Sequence, residues 1–258
     1  MKGVRRMAQI EIRGLSLQYK SSNKKILDNA NATFSSGDAI LVSGENGVGK
    51  SSFLKTMLRL EMSGKIVSGK IYYSGNDIIG MNEKELKAQR RAVAYLQQQD
   101  DYDSLDGYTV ADILFDSFEA HNGRRPTKND KSAIQDTFYK YVTDEAKISL
   151  KSKIQKLSGG QKRLVSIIAD ICMFDNLSYY LIDEPLNNLD VRTVRLISNL
   201  FNRLHRENPE TVLVIVSHCR IFPFINKIFK IENQKLVEDI EMPIYYSCFG
   251  LPDENGYY

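Results

Sequence analysis

The eight residues from Gly44 to Ser51, GENGVGKS, set glycines at 44, 47 and 49 directly ahead of a lysine and a serine. Glycines let successive backbone N–H groups turn inward around an anion without a Cβ in the way. A helix beginning near Lys50 adds its positive dipole end, so the segment reads as a phosphate-binding loop. In that pattern Gly44, Glu45, Asn46, Gly47, Val48, Gly49, Lys50, Ser51 and Ser52 wrap the phosphates of a nucleotide. Lys50 bridges the β and γ phosphates, and Ser51 offers a hydroxyl to Mg²⁺, a cation that takes hard oxygen ligands. The bland alternative is a glycine-rich turn that binds nothing. It does not explain why every specified position is filled between an apolar run, Ala39 to Val42, and a helical segment.

A second group of residues stands at the ends of other apolar runs. YYLIDEP, Tyr179 to Pro185, closes on two adjacent carboxylates. Successive strand side chains diverge, so Asp183 can face an Mg²⁺ shell while Glu184 faces a water that attacks the γ phosphate. Alone, an acidic pair after apolar residues is a common solvent-facing strand end, and it gains force only from its partners. His218 follows the run Val212 to Val216. A lone histidine there is more often a structural hydrogen-bonder, but parallel strands deliver their C-terminal ends to one ligand edge, which favours a functional reading. His121 and His205 lack such placement and read as surface residues. Gln98, between Gln97 and Gln99, closes the run Ala92 to Leu96; by itself a glutamine run is a solvated turn.

The elements that must position these groups follow from periodicity. Ile10, Ile12, Leu15 and Leu17 alternate approximately, as do Ala30, Ala32 and Phe34, which predicts half-buried strands paired antiparallel. Gly37 and Asp38 mark a turn before the wholly apolar strand at 39–42. Ile71 to Tyr73, Ala92 to Leu96, Tyr179 to Ile182 and Val212 to Val216 repeat the short apolar run, and the last three, with helical patterns between them, predict a parallel sheet of βαβ units. Between Gln99 and Lys156 the spacing turns helical, through Val110, Ile113, Leu114 and Phe118, then Ile134, Phe138, Tyr141 and Val142. Asn122 to Pro126 breaks this helical subdomain with an exposed loop carrying Arg124 and Arg125. The expectation is one α/β unit.

Composition narrows the function classes. The chain has 258 residues and a net charge of +3 from 35 basic and 32 acidic side chains mixed along its length, so no polyanion-binding stripe is present and nucleic acid is not expected as a partner. No apolar run approaches the ~18 residues of a membrane helix. Cys172, Cys219 and Cys248 form neither a metal spacing nor an even disulfide framework, which suits a reducing cytoplasm; they read as thiols without a catalytic role. MKGVRR lacks the apolar core of a signal peptide, and one of the codon choices for Lys2 to Met7, AAA GGA GTG AGG AGA ATG, contains a bacterial ribosome-binding site read in frame. Met7 is therefore read as the native start of a bacterial gene; native peptides beginning at Met1 would overturn that. The aromatic tail 241–258 reads as an extended or disordered segment, or alternatively as a docking segment.

With these residues placed, the chain resembles the nucleotide-binding subunit of an ABC transporter from about Ile10 to Asp239. The resemblance is carried by the phosphate loop, the signature LSGGQ at Leu157 to Gln161, YYLIDEP, the D-loop NNLD ending in Asn188, Leu189 and Asp190, and His218. It implies a P-loop NTPase (RecA-like) α/β fold: a mixed-sheet core, an antiparallel β subdomain and an inserted helical subdomain at about 99–160, in one domain spanning 8–240. It implies that Gln98 helps hold Mg²⁺ and links the site to the helical subdomain, with Gln97 standing where the family often has proline. Tyr19 resembles the aromatic that stacks on adenine; a buried strand-end tyrosine is the other reading. IENQKLVED resembles the family's closing hairpin.

The resemblance further implies a head-to-tail dimer with itself or a related ATPase subunit. Each ATP would lie between one chain's phosphate loop and the other's signature, so that Ser158, Gly159, Gly160 and Gln161 act in trans. Glu184 would polarise the attacking water, His218 would steady the γ phosphate, and Lys50, Ser51 and Asp183 would serve the phosphates and Mg²⁺. Binding closes such a dimer and hydrolysis of ATP to ADP and phosphate reopens it. The chain departs from the family in having Leu164 where arginine is usual, Ala169 and Asp170 in place of an alanine-arginine-alanine segment, and about two extra residues between Gln161 and Asp183. Those changes are read as touching helix packing more than chemistry. The function expected is an ATPase subunit at the inner face of the cell membrane, powering separately encoded integral membrane permease subunits that dock near Tyr102 to Phe118. A soluble ABC ATPase of cofactor assembly, DNA repair or translation is the alternative.

Overall fold

The computed structural model describes residues 7–60, 64–98, 102, 105–142, 146–174, 177–218 and 222–240. Alternation along the first segments produces β1 (Gln9–Tyr19) and β2 (Lys25–Ser35), antiparallel as expected, with Ile10, Ile12, Leu15 and Leu17 fully buried. The apolar run at Ile71 to Tyr73 proves to be the end of a longer strand, β4 (Gly64–Tyr73). It pairs antiparallel with β1 and, through a tight turn, with β5 (Asn76–Asp77), giving a four-stranded sheet in the order β2-β1-β4-β5.

The second sheet holds β3 (Ala39–Gly44), β6 (Val93–Leu96), β7 (Tyr179–Asp183), β8 (Val212–Val216), β9 (Lys227–Glu232) and β10 (Lys235–Asp239), in the order β10-β9-β3-β8-β7-β6. All neighbours are parallel except the closing hairpin β9–β10. That hairpin turns on Asn233 and Gln234, both at positive φ, a conformation asparagine tolerates better than most residues. Both faces of this sheet are covered at its centre, which is why β7 and β8 are buried at every position, whereas β9 and β10 at one edge carry exposed charged residues. Ile40, Val42, Leu181 and Val214 face one core with α1 (Lys50–Thr56) and the antiparallel sheet; Leu41, Ile182, Leu213 and Ile215 face a second core with the remaining long helices.

After α2 (Glu83–Arg90), whose Leu86 joins the first core, those helices are α3 (Val110–Asn122), α4 (Lys128–Tyr141), α5 (Gly159–Ile167) and α6 (Val191–Glu207). Thr109 and Thr127 cap α3 and α4 in reciprocal boxes with Asp112 and Asp130, and Gly123 ends α3 in the left-handed region. Arg124, expected in an exposed loop, is bonded to Asp130 at 2.7 Å and lies over the Phe118 ring. α5 runs on into a π-helical turn, Ile168–Cys172, a form that accommodates added residues within a helix. Ser117 of α3 donates to the Ala169 carbonyl of that turn at 2.8 Å. Cys172 is buried there and burial pushes its thiol well above the ordinary range, which fits an unreactive thiol. Cys219, Cys248, Gln99 and the tail 241–258 lie outside the described residues.

The C-terminal end of α6 is tied to α4 by charge. Glu207 accepts from Lys140 and Tyr141 at 2.7 Å each and from Arg203 at 3.0 Å. Partial burial works against ionisation, but these three donors outweigh it and hold the carboxyl at about 2. A depressed carboxylate contributes its stability fully above its unfolded value and loses it as pH falls toward the folded value. Glu207→Gln should therefore cost about 1 kcal/mol at neutral pH, measured by denaturant titration. The difference from wild type should shrink below roughly pH 4.5; a difference independent of pH would refute the role of its charge.

Candidate functional site

β3, β6, β7 and β8 run parallel, so their C-terminal ends arrive at one edge and bring the phosphate loop, Gln98, the acidic pair and His218 to it. A cavity of about 200 Å³ opens there, lined by Tyr19, Asn46, Gly47, Gly49, Lys50, Ser51, Ser52, Gln98, Glu184 and His218. Gly49 lies at φ +106°, and a Cβ on it would fall 2.2 Å from Cγ2 of Ile26, so both backbone and packing require glycine. The Glu45 side chain is exposed while Val48 turns onto the apolar core. Tyr19 is half-buried and its hydroxyl donates to the Gly47 carbonyl at 2.9 Å, tying the end of β1 to the loop.

Lys50 is almost fully buried and donates to the carbonyls of Gly44 at 3.0 Å and Glu45 at 3.1 Å, with Glu184 Oε1 at 3.9 Å. Burial lowers its ammonium from the ordinary value, opposed by Glu184 and Asp183. Burial raises Glu184, with Lys50 pulling down and Asp183 pushing up. His218 sits with Nε2 3.0 Å from Glu184 Oε1 and its ring nitrogens 3.4 and 3.5 Å from Lys50 Nζ, and burial and then Lys50 hold it below its ordinary value. Asp183 Oδ1 accepts from Ser51 Oγ at 2.8 Å, while its Oδ2 is buried with no hydrogen-bond partner among the described residues. A buried orphan carboxylate oxygen beside a serine hydroxyl is a hard-oxygen set that suits Mg²⁺.

The signature and D-loop residues do not join this cavity. Ser158, Gly160, Gln161 and Asp190 line a separate cavity of about 250 Å³ between α5 and α6, with no residue shared between the two. Ser158 caps α5: its hydroxyl accepts from the Gln161 N–H at 3.3 Å, and the Gln161 side chain accepts from the Ser158 N–H at 2.9 Å. The S-x-x-Q pattern of a capping box was legible in the sequence and explains both residues locally. Asp190 caps α6 through Thr193, Asn188 takes a positive φ before it, and Leu189 packs on the core.

The two signature glycines differ. A Cβ on Gly160 would meet Thr193 Oγ1 at 2.5 Å and Cγ2 at 2.8 Å, whereas one on Gly159 meets nothing within 4 Å. Gly160→Ala should thus cost about 1–3 kcal/mol of stability in a denaturant titration. Gly159→Ala should leave stability unchanged, and any loss of activity it causes would then arise from outside the chain.

Arg163 was missed by sequence reasoning, which noted only that Leu164 stands where arginine is usual. The arginine is one residue earlier and buried, donating to main-chain carbonyls of Gln97, Pro185, Asp183 and Glu184. The departure at 163–164 therefore reaches the backbone on either side of Glu184 as well as the helix packing. The available signal was a cation at the start of the apolar run Leu164 to Ala169. His121 and His205, read as surface residues, are half-buried instead, stacked on Phe174 and Phe224. Among the described residues no three His, Cys, Asp or Glu side chains gather as a metal cluster, and no helix is long and apolar enough to cross a membrane.

Comparison with known proteins agrees with this geometry. The ABC transporter family model matches residues 27–187. The phosphonates import ATP-binding protein PhnC of Fusobacterium nucleatum is 28% identical over 241 residues, covering 88% of this chain and 90% of its own. The petrobactin import ATP-binding protein YclP of Bacillus subtilis is 28% identical over 233 residues, covering 89% and 86%. The dimeric structure of MJ0796, a bacterial ABC transporter cassette, superposes with a TM-score of 0.71 at 22% identity over 89% of this chain and 97% of that one, a likeness of fold. The α/β architecture is thus that of a P-loop ATPase cassette. One family model spans more than half of the chain and relatives align along most of its length: the chain belongs to the ABC transporter family, as an ATP-binding and ATP-hydrolysing subunit.

Proposed function

We propose that this chain binds ATP with Mg²⁺ in the cavity at the end of β3, pairs head to tail with a second ATPase subunit, and powers import through separately encoded membrane subunits at the inner face of the cell membrane. The observation that carries the reading is the division of the candidate residues between two cavities of one chain. Ser158 does not line the cavity that holds Lys50, which supports a signature that serves another ATP. Import is favoured by the relatives PhnC and YclP, whose names describe import proteins.

In this reading Tyr19 stacks on the adenine ring and the glycine loop cradles the phosphates. Ser51, Asp183 and Gln98 hold Mg²⁺, which when bound supplies positive charge against the β and γ phosphates. Glu184 orients and deprotonates the attacking water, and His218, hydrogen-bonded to Glu184, steadies it and the γ phosphate. Ser158, Gly159, Gly160 and Gln161 close the partner's site, with Asn188, Leu189 and Asp190 beside them. Such groups act mainly by positioning and electrostatic stabilisation.

The coupling to transport is tested in the native cell. A tagged chain should sediment with the membrane fraction and, in mild detergent, co-purify in stoichiometric amount with a multi-span membrane protein. Recovery wholly in the soluble fraction with no such partner would overturn transport and leave a soluble ATPase.

A further inference from the structure

Glu184, the proposed base, sits on backbone that an L residue rarely adopts, φ +43°. Conformations of that kind cost about 1–3 kcal/mol and persist only where surrounding bonds over-determine them. Part of the restraint is the sheet itself: the Glu184 N–H donates to the Val216 carbonyl at 2.9 Å. The Asn187 N–H adds a bond to the Glu184 carbonyl at 3.5 Å, and one side chain adds several more. Arg163, 8% exposed, donates Nη1 to the Gln97 carbonyl at 2.8 Å, Nε to Pro185 at 3.2 Å, and Nη2 to Asp183 at 3.4 Å and Glu184 at 3.5 Å. The guanidinium thus spans the carbonyls on both sides of the strained residue and the one preceding Gln98.

We infer that Arg163 is a positioning residue that holds the Glu184 backbone in its strained conformation and couples it to the Gln98 loop and to α5. A planar fork with donors on three separate nitrogens reaches carbonyls of two loops that the ammonium of lysine, with all its donors on one atom, does not span together. Because α5 begins at Gly159, capped by Ser158, movement of that cap is carried along one short helix to the backbone of Glu184 and Gln97. The helix that would touch the partner's ATP therefore also bears on this chain's own hydrolytic residue. This inference rests on the reading of Glu184 as the base.

The test compares Arg163→Lys, Arg163→Met and the control Ser117→Ala in the full-length chain. Both Arg163 variants should lose at least 30-fold in kcat while Kd for MgATP stays within threefold, and Ser117→Ala should stay within twofold in both. Under native conditions the Glu184 amide should exchange with solvent at least tenfold faster in Arg163→Lys, with the Leu213 amide unchanged. A folded Lys variant with kcat within threefold of wild type, a parallel fall of kcat and affinity, or unchanged exchange at Glu184 would overturn the inference. So would a Lys variant that fails to fold, since Arg163 would then be needed for the core itself. Undiminished hydrolysis in Glu184→Gln would instead refute the base assignment, leaving the exchange result to judge the positioning.

Discussion

Glu184→Gln is expected to lower ATP turnover by about three orders of magnitude, within the range a positioned general base contributes, while MgATP binding persists and an ATP-bound dimer accumulates. The substitution keeps shape and changes chemistry. Glu184 is 5% exposed, 3.9 Å from the Lys50 ammonium and 3.0 Å from His218, so an amide of the same size fits the same space. It cannot take a proton from water. It also removes one negative charge from a site that must receive a triphosphate, so affinity is held or raised. Steady-state phosphate release and size-exclusion chromatography with and without MgATP measure the two halves of the claim. Hydrolysis at the wild-type rate would remove Glu184 from the mechanism, and normal binding without dimer would remove the pairing.

The second large effect concerns complementation. Lys50→Met should abolish measurable turnover, since no other cation among the residues lining the cavity can take the phosphate charge. Ser158→Asp should do the same for a different reason. Aspartate caps a helix as well as serine, so α5 keeps its N-cap and the chain keeps its stability, but a carboxylate is set against the γ phosphate of the opposing site. Each variant alone is then inactive. Mixed in equal amounts with random pairing, half of the dimers carry one intact composite site, and activity should return to about a quarter of wild type. No recovery from two folded, nucleotide-competent variants would refute assembly in trans, and recovery well above a quarter would show that the sites are not independent.

The elements that present the site were legible because their patterns are local. Alternation announced β1 and β2, unbroken apolar runs announced β3, β7 and β8, and glycine and proline announced the break between α3 and α4. β4 was read as three residues instead of ten because its first part, GKIVSGK, is half exposed and interrupted by glycine, and only pairing with β1 makes it a strand. β9 was recognised through the closing hairpin, yet nothing in KIFKIE says that it lies beside β3; that choice is made by the hydrogen-bond ladder of a strand far away in sequence. His205 reads as a surface residue because it does not follow an apolar strand, and it is the stacking of Phe224, outside the local pattern of α6, that covers part of its ring.

The chain by itself determined the chemistry on offer: a glycine cradle with Lys50 and Ser51, two carboxylates after an apolar run, a histidine after another, and a second glycine segment headed by a capping serine. Residue types and short spacings suffice for that, since a loop, a cap or a strand end is built within a few positions. Only the tertiary structure decided that Asp183 meets Ser51, that Glu184 meets His218 and Lys50, and that Ser158 stands in a different cavity. It also turned Arg163 from one more cation on a helix into a buried fork across two loops. Such contacts join residues many positions apart, and their geometry follows from strand order and helix packing, which local sequence patterns do not encode.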